Sequence, residues 1–200
     1  RSRGGLGSHL ESGDDERSRQ TRTGVLLMRN LSLATALSTL ALVLAAPAAF
    51  AEEKDHGLRG AKHPEPNVLF GGQPTEAQLE AMAADGLTFV LDLRAEGENR
   101  GFDEPAALQS LDIPYLNLPV DAERLAQPET FDRFIEAMQN LDGPALVHCA
   151  SGNRVGALYY AYLVAGKGED REEARSRAKE NGLRSEALEK AVDRYLDSRP

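Results

Sequence analysis

ALVHCASGNRVGALYYAYLVAG, residues 145–166, holds the only cysteine of the chain at the join between two kinds of apolar sequence. ALVH is a short apolar run, Ala145 to Val147, closed by a histidine, the composition of a buried strand. RVGALYYAYLVAG is apolar nearly all round, the composition of a buried helix. Between them, Ala150, Ser151, Gly152 and Asn153 are small enough to turn the chain tightly. A buried strand followed at once by a buried helix implies a sheet covered by helices, and the rest of the chain can be read outward from that join.

Upstream, the same alternation repeats. NVLFGGQ (67–73) reads as a strand ending in Gly71-Gly72. Thr75 with Gln78 three residues on is a capping box, which opens a helix through Leu79, Met82 and Ala83 that stops at Gly86. LTFVLDL (87–93) is a strand apolar enough to be central. A loop, RAEGENRG (94–101), and a weak helix to about Leu111 lead to a further strand, IPYLNLPV (113–120). Phe131, Phe134, Ile135, Met138 and Leu141 form a helical stripe, and Gly143-Pro144 turns the chain into ALVH. Two helices follow residue 166. The first ends at Asn181-Gly182, and the last carries Leu188, Val192, Tyr195 and Leu196 on one face. The order predicts an α/β fold: a mainly parallel central sheet flanked by helices on both faces. Ligands of such sheets bind beyond the carboxyl ends of the strands, and Cys149 leaves one of those ends.

The beginning of the chain reads differently. Residues 1–27 are polar, Gly- and Arg-rich and aperiodic, and are expected to be an upstream extension that is not part of the native protein. Residues 28–51 have the pattern of a secretory signal peptide: Arg29, an apolar run of about 16 residues from Leu31 to Ala46, Pro47, and Ala49-Phe50-Ala51 as a cleavage site. The mature protein is then expected to start at Glu52, with residues 52–66 a flexible lead-in and 67–197 the folded domain. Export, to a periplasm, leaves no membrane contact after cleavage. The net charge of −9 disfavours nucleic acid and anionic lipid as partners.

A lone cysteine in an exported protein has no partner for an internal disulfide, so it is either inert or reactive. Its setting points to the second. Small residues let successive backbone N–H groups converge into a concave nest, and the helix start adds free N–H groups and the positive end of its dipole. A sulfur over that nest is expected to ionise more readily than a free thiol. Arg154 can offer a planar fork to an oxyanion. The loop therefore reads as an anion-binding nucleophile, with Ala150, Ser151, Gly152, Asn153 and Arg154 around the anion; Asn153 either shapes the loop or touches the ligand. The four histidines show no metal-site spacing, no nucleotide motif is present, and no metal or cofactor is expected. Tyr159, Tyr160 and Tyr162 read as core. EDREEARSRAKE (169–180) reads as a solvated helix face with i,i+4 pairs. Arg94 reads as a surface ion pair or a residue of the site's rim.

Residues 67–197 resemble the cysteine-dependent phosphatase superfamily, in its dual-specificity-like branch known as the beta-lactamase-hydrolase-like or DUF442 family. The resemblance lies in FGGQPTEAQLEAMAADG, FVLDLR, IPYLNLPVD and HCASGNR. It implies a phosphatase acting on a phosphorylated substrate or small oxyanion through a phosphocysteine, with Cys149 as nucleophile and Arg154 as phosphate clamp. It further implies Asp121, 28 residues before the cysteine, as general acid, and His148 as a residue that braces the loop through backbone hydrogen bonds. Two departures stand out. Four residues rather than five separate Cys149 from Arg154, a loop length also similar to rhodanese-type sulfurtransferases, and Val155 replaces a frequent hydroxyl residue. A sulfurtransferase using Cys149, and a non-catalytic anion-binding module, are the alternatives.

Overall fold

A computed structural model describes residues 54–199. The expected upstream extension (1–27) and signal segment (28–51) lie outside the described residues. Eleven strands and helices follow in the order β1 (Lys62–Glu65), β2 (Val68–Gly71), α1 (Glu76–Ala84), β3 (Phe89–Asp92), α2 (Glu104–Ser110), β4 (Tyr115–Asn117), α3 (Pro128–Gln139), β5 (Ala145–His148), α4 (Asn153–Ala161), α5 (Arg171–Glu180) and α6 (Glu186–Asp197). A 3₁₀ turn, Arg124–Ala126, precedes α3, and a π-helical segment, Tyr162–Gly166, continues α4. No helix among the described residues is long and apolar enough to cross a membrane.

The sheet runs β1-β2-β5-β3-β4, with β2, β5, β3 and β4 parallel and β1 antiparallel at one edge. ALVH is its central strand, as its unbroken burial requires. Because alternate side chains of a strand face opposite ways, the three central strands feed two cores. Phe70, Leu91 and Val147 pack with Phe131, Phe134, Leu158 and Val192 beneath α3–α6. Leu69, Val90 and Leu146 pack with Leu79, Met82 and Leu108 beneath α1 and α2. Helices on both faces of a mainly parallel sheet are thus observed.

The capping chemistry explains where the helices begin. Thr75 and Gln78 form the reciprocal capping box at α1. Asp103 accepts from the Ala106 N–H and, with Pro105 in the first turn, starts the short α2. Asp170 and Ser185 cap α5 and α6 in the same way.

Two expectations are corrected. Residues 54–66 are not a lead-in outside the domain: β1 pairs Lys62 with Phe70 and Glu65 with Val68, and Leu58 is buried. The sequence there lacks an apolar run because an edge strand needs only backbone bonds. The charged run 169–180 does not rely on i,i+4 pairs. Its arginines pair at other spacings, Arg175 with Glu172 one turn back and with Glu189 and Asp193 of α6, Arg171 with Asp197, and Arg177 with Glu169 at the start of the run. Tyr159 and Tyr160 are fully buried as expected, and Tyr162 is half-buried.

Candidate active site

Gly71, His148, Asp92 and Asn117 stand in register at the carboxyl ends of four parallel strands. Cys149 follows the end of β5 directly, and its N–H donates to the Gly71 carbonyl at 3.3 Å. The chain then reverses through Gly152, whose φ of +82° is strained for any residue with a side chain. That reversal turns the Gly152 N–H back onto the Cys149 sulfur, to which it donates at 3.1 Å. α4 starts at Asn153, and no side chain caps its first turn, so its leading N–H groups remain available to an anion. Cys149 itself is 1% exposed.

Neighbouring segments press against this loop. Gly72 bridges to Ser151, and a Cβ on Gly72 would stand 3.2 Å from the Ala150 carbonyl. On the other side, Asn153 Oδ1 accepts from the N–H groups of Arg184 and Ser185 at 2.7 and 3.2 Å. Asn153 therefore shapes the loop by tying it to the α5–α6 linker. Gly182, in that linker, has no room for a side chain, since a Cβ would lie 2.8 Å from the Gly152 carbonyl.

Arg154 extends from the first turn of α4 across the ends of β3 and β4. Nη1 donates to the carbonyls of Leu93 (3.2 Å) and Val120 (3.0 Å), and the fork meets the Glu98 carboxylate. The Glu98 bond, with the Cys149 sulfur nearby, holds the guanidinium above its usual range despite burial. Arg154 and Asp121 line one cavity of about 410 Å³ together with Leu125, Ser185, Leu188 and Arg194. Asp121 Oδ1 accepts from the Arg124 N–H at 2.8 Å, capping the 3₁₀ turn, while Oδ2 lies 3.8 Å from Arg124 Nε. A second cavity of about 410 Å³, at the amino ends of β3 and β4 around Phe89, Leu116 and Leu141, is remote from this chemistry.

Around His148, on the face of the sheet that α2 covers, lies a buried charge cluster. Arg94 donates to both oxygens of Asp92 at 2.9 Å and to Glu104; Arg100 and Tyr115 also donate to Asp92. His148 Nε2 is 2.9 Å from Glu104 Oε1, and all four of Asp92, Arg94, Glu104 and His148 are fully buried. Two expectations change here. Arg94 is neither a surface pair nor part of the rim: it is the counter-ion of two buried carboxylates. The His148 ring makes no backbone hydrogen bond: neither ring nitrogen has a hydrogen-bond partner among the described residues, and Nε2 faces Glu104 Oε1 at 2.9 Å without hydrogen-bond alignment. Asp92, Glu104 and His148 place ligand-type atoms within 4.8 Å of one another. A metal does not suit the group, because Arg94 already supplies positive charge to both carboxylates and would repel a second cation.

The sequence reading overlooked three residues that contact the loop or its arginine: Glu98, Arg184 and Arg59. Arg184 and Arg59 donate to the Ser151 and Ala150 carbonyls. Glu98 stands 56 positions from Arg154, and the two arginines 33 and 91 from the carbonyls they reach. No local pattern marks such contacts.

A mainly parallel sheet, a glycine-reversed loop carrying a buried cysteine, and a helix presenting an arginine are the parts of a phosphatase-like α/β protein. The chain belongs to the family described as DSP-PTPase phosphatase fused to NAD+ kinase, whose model matches residues 38–193. A beta-lactamase hydrolase-like protein of Agrobacterium fabrum is 27% identical over 96 residues, which are 46% of this chain and 22% of that protein. The chain thus spans about a fifth of that relative's length. A DUF442 putative phosphatase from Shewanella putrefaciens superposes with a TM-score of 0.57 at 22% identity, covering 70% of this chain and 93% of the other. TpbA of P. aeruginosa, solved in complex with pTyr, gives 0.55 at 19% identity over 77% of this chain and 91% of its own. At those identities the structural likeness is one of fold.

Proposed function

We propose that the protein is a cysteine-dependent phosphatase that hydrolyses a phosphomonoester through a phosphocysteine. The observation that carries this reading is the Gly152 N–H directed at the Cys149 sulfur at 3.1 Å, at the start of a helix with an uncapped first turn. A loop that stabilises a sulfur anion also stabilises the oxygens of a phosphoryl group next to it.

The reaction has two steps. The Cys149 thiolate attacks phosphorus, forming the S–P bond as the ester P–O bond breaks, and Asp121 gives its proton to the departing oxygen. The Asp121 carboxylate then takes a proton from water, the water oxygen attacks phosphorus, and the S–P bond breaks to release phosphate and the thiolate. Arg154 and the loop N–H groups stabilise the equatorial oxygens in both steps. The shared cavity of Asp121 and Arg154 supports this division of roles. The phosphotyrosine bound by TpbA makes an aryl phosphate a reasonable first substrate.

The four-residue spacing and the fully buried Val155, which offers no hydroxyl to the loop, favour a second reading, sulfur transfer through a Cys149 persulfide. One experiment separates the two. The full chain is offered p-nitrophenyl phosphate with EDTA present, and thiosulfate with cyanide in parallel. Phosphate release that is lost in Cys149→Ser supports the phosphatase. Thiocyanate without phosphate release replaces it with the sulfurtransferase. Silence in both, with phosphate still raising the unfolding temperature, leaves an anion-binding module.

A further inference from the structure

The carbonyl side of the loop is held by two cations. Arg184 donates from Nη2 to the Ser151 carbonyl at 2.9 Å, and Arg59 donates from Nη2 to the Ala150 carbonyl. They approach from separate segments, the α5–α6 linker and the residues before β1. Both side chains are exposed, and among the described residues neither meets a carboxylate. In this acidic chain that is a contrast: Arg154, Arg171, Arg175 and Arg177 each pair with one.

The carbonyl of one residue and the N–H of the next belong to a single planar, conjugated unit. The Ser151 carbonyl held by Arg184 therefore shares its unit with the Gly152 N–H, and that N–H is the donor to the Cys149 sulfur at 3.1 Å. A cation on the oxygen draws electron density along the amide and makes the N–H a stronger donor, because hydrogen bonds in series polarise one another. Arg59 acts in the same sense on the preceding unit, Ala150–Ser151. The guanidinium of Arg184 is not needed to anchor its own segment. The backbone N–H groups of Arg184 and Ser185 already bind Asn153 Oδ1 at 2.7 and 3.2 Å.

We infer that Arg184, supported by Arg59, is a positioning residue of the anion loop, whose charge reaches the Cys149 sulfur and a bound oxyanion through the Ser151–Gly152 peptide. The inference rests on the reading of Cys149 as the nucleophile. Neither arginine need touch the substrate, since both hold carbonyl oxygens and leave the loop N–H groups to the anion.

The test compares the full wild-type chain with Arg184→Met, Arg184→Gln, Arg184→Lys, Arg59→Met and, as a control for lost surface charge, Lys190→Met. The first readout is the rate at which iodoacetamide, a neutral reagent, alkylates Cys149 at pH 7, which needs no turnover. The second is kcat on p-nitrophenyl phosphate, and unfolding temperatures report the fold. Arg184→Met and Arg184→Gln are expected to alkylate about fivefold more slowly, the order of change expected when a charge-assisted bond is replaced by a neutral one or none. Arg59→Met has a smaller effect in the same direction, Arg184→Lys retains most of the rate, and Lys190→Met retains all of it. Glutamine keeps a donor for the Ser151 carbonyl without the charge, so wild-type alkylation by a folded Arg184→Gln overturns the inference. Failure of lysine to restore the rate overturns it as well. If the wild-type chain releases no phosphate, the phosphatase reading falls while the alkylation rates still decide this one. If it does release phosphate and Arg184→Met alkylates normally, only this inference falls.

Discussion

The carboxylate of Glu98 and the guanidinium of Arg154 form a two-pronged ion pair, 2.6 Å from Oε1 to Nη1 and 2.7 Å from Oε2 to Nη2. Glu98 is itself fixed, since Oε1 also accepts from the Ala95 N–H at 2.7 Å. The loop after β3 thereby aims an arginine that belongs to α4. Arg154 in turn holds the Glu98 carboxyl below its usual range.

Glu98→Ala is expected to raise KM for p-nitrophenyl phosphate about tenfold with a smaller change in kcat, since a lost charge-assisted bond costs about 1.5–3 kcal/mol. Glu98→Gln, which keeps an acceptor, falls between Ala and wild type. Steady-state kinetics check this, and an unaltered KM in Glu98→Ala would mean that the Leu93 and Val120 carbonyls alone orient the fork.

Asp121 has two carboxylate oxygens and two possible uses. Oδ1 caps the Arg124 N–H, which accounts for an aspartate at that position without any catalysis. Asparagine keeps that cap but cannot supply the proton. Asp121→Asn is therefore expected to leave stability nearly unchanged and to lower kcat on alkyl phosphates, which have poor leaving groups, by about 10²–10⁴. Aryl phosphates with good leaving groups are affected less. Equal loss on both substrates would remove Asp121 as the acid.

Burial alone would raise the Asp92 carboxyl, but bonds from Arg94 and the nearby His148 outweigh it and lower the pKa from 3.8 to about 2. A depressed carboxylate contributes stability that is present above its unfolded value and is lost as pH falls through the folded one. Urea unfolding is therefore expected to show about 2 kcal/mol of stability lost between about pH 4 and pH 2 through this group. Asp92→Asn should remove that segment of the acid limb. At pH 7 it should also cost about 3–5 kcal/mol, because Arg94 is left buried beside one carboxylate instead of two.

Gly156 lies in α4, where alanine would ordinarily favour the helix by about 1 kcal/mol. Here a Cβ would stand 2.2 Å from the Leu183 backbone nitrogen. Gly156→Ala is expected to lower the unfolding temperature and, by pushing away the linker that binds Asn153, to reduce activity more than stability. Thermal melts and kinetics on the same sample check it. A more stable, fully active variant would show that the linker yields at no cost.

Local sequence carried the framework and the central part of the site. ALVH is apolar at its first three positions and buried at all four because both faces of the central strand are covered, and the small residues after it can only be a tight turn. Cys149, the reversing Gly152 and Arg154 are near neighbours in the chain, so their arrangement follows from a strand, a turn and one helical turn. The Thr75–Gln78 capping box was legible for the same reason. The polar edge strand β1 was not, because its place depends on backbone bonds to β2, which impose no pattern on side chains.

What surrounds the loop was decided by tertiary structure. Arg94 follows a strand much as a rim residue would, yet register sets Asp92 beside His148 and α2 brings Glu104 over both, so the arginine is buried as their counter-ion. Glu98, Arg59 and Arg184 sit in unremarkable polar stretches and reach the loop only when the chain is folded. Periodicity and turn chemistry act over a few residues, and so the sequence by itself determined the strand, the turn and the nucleophile they carry. Charges act through space, and only the packed fold decided which of them stand around that sulfur.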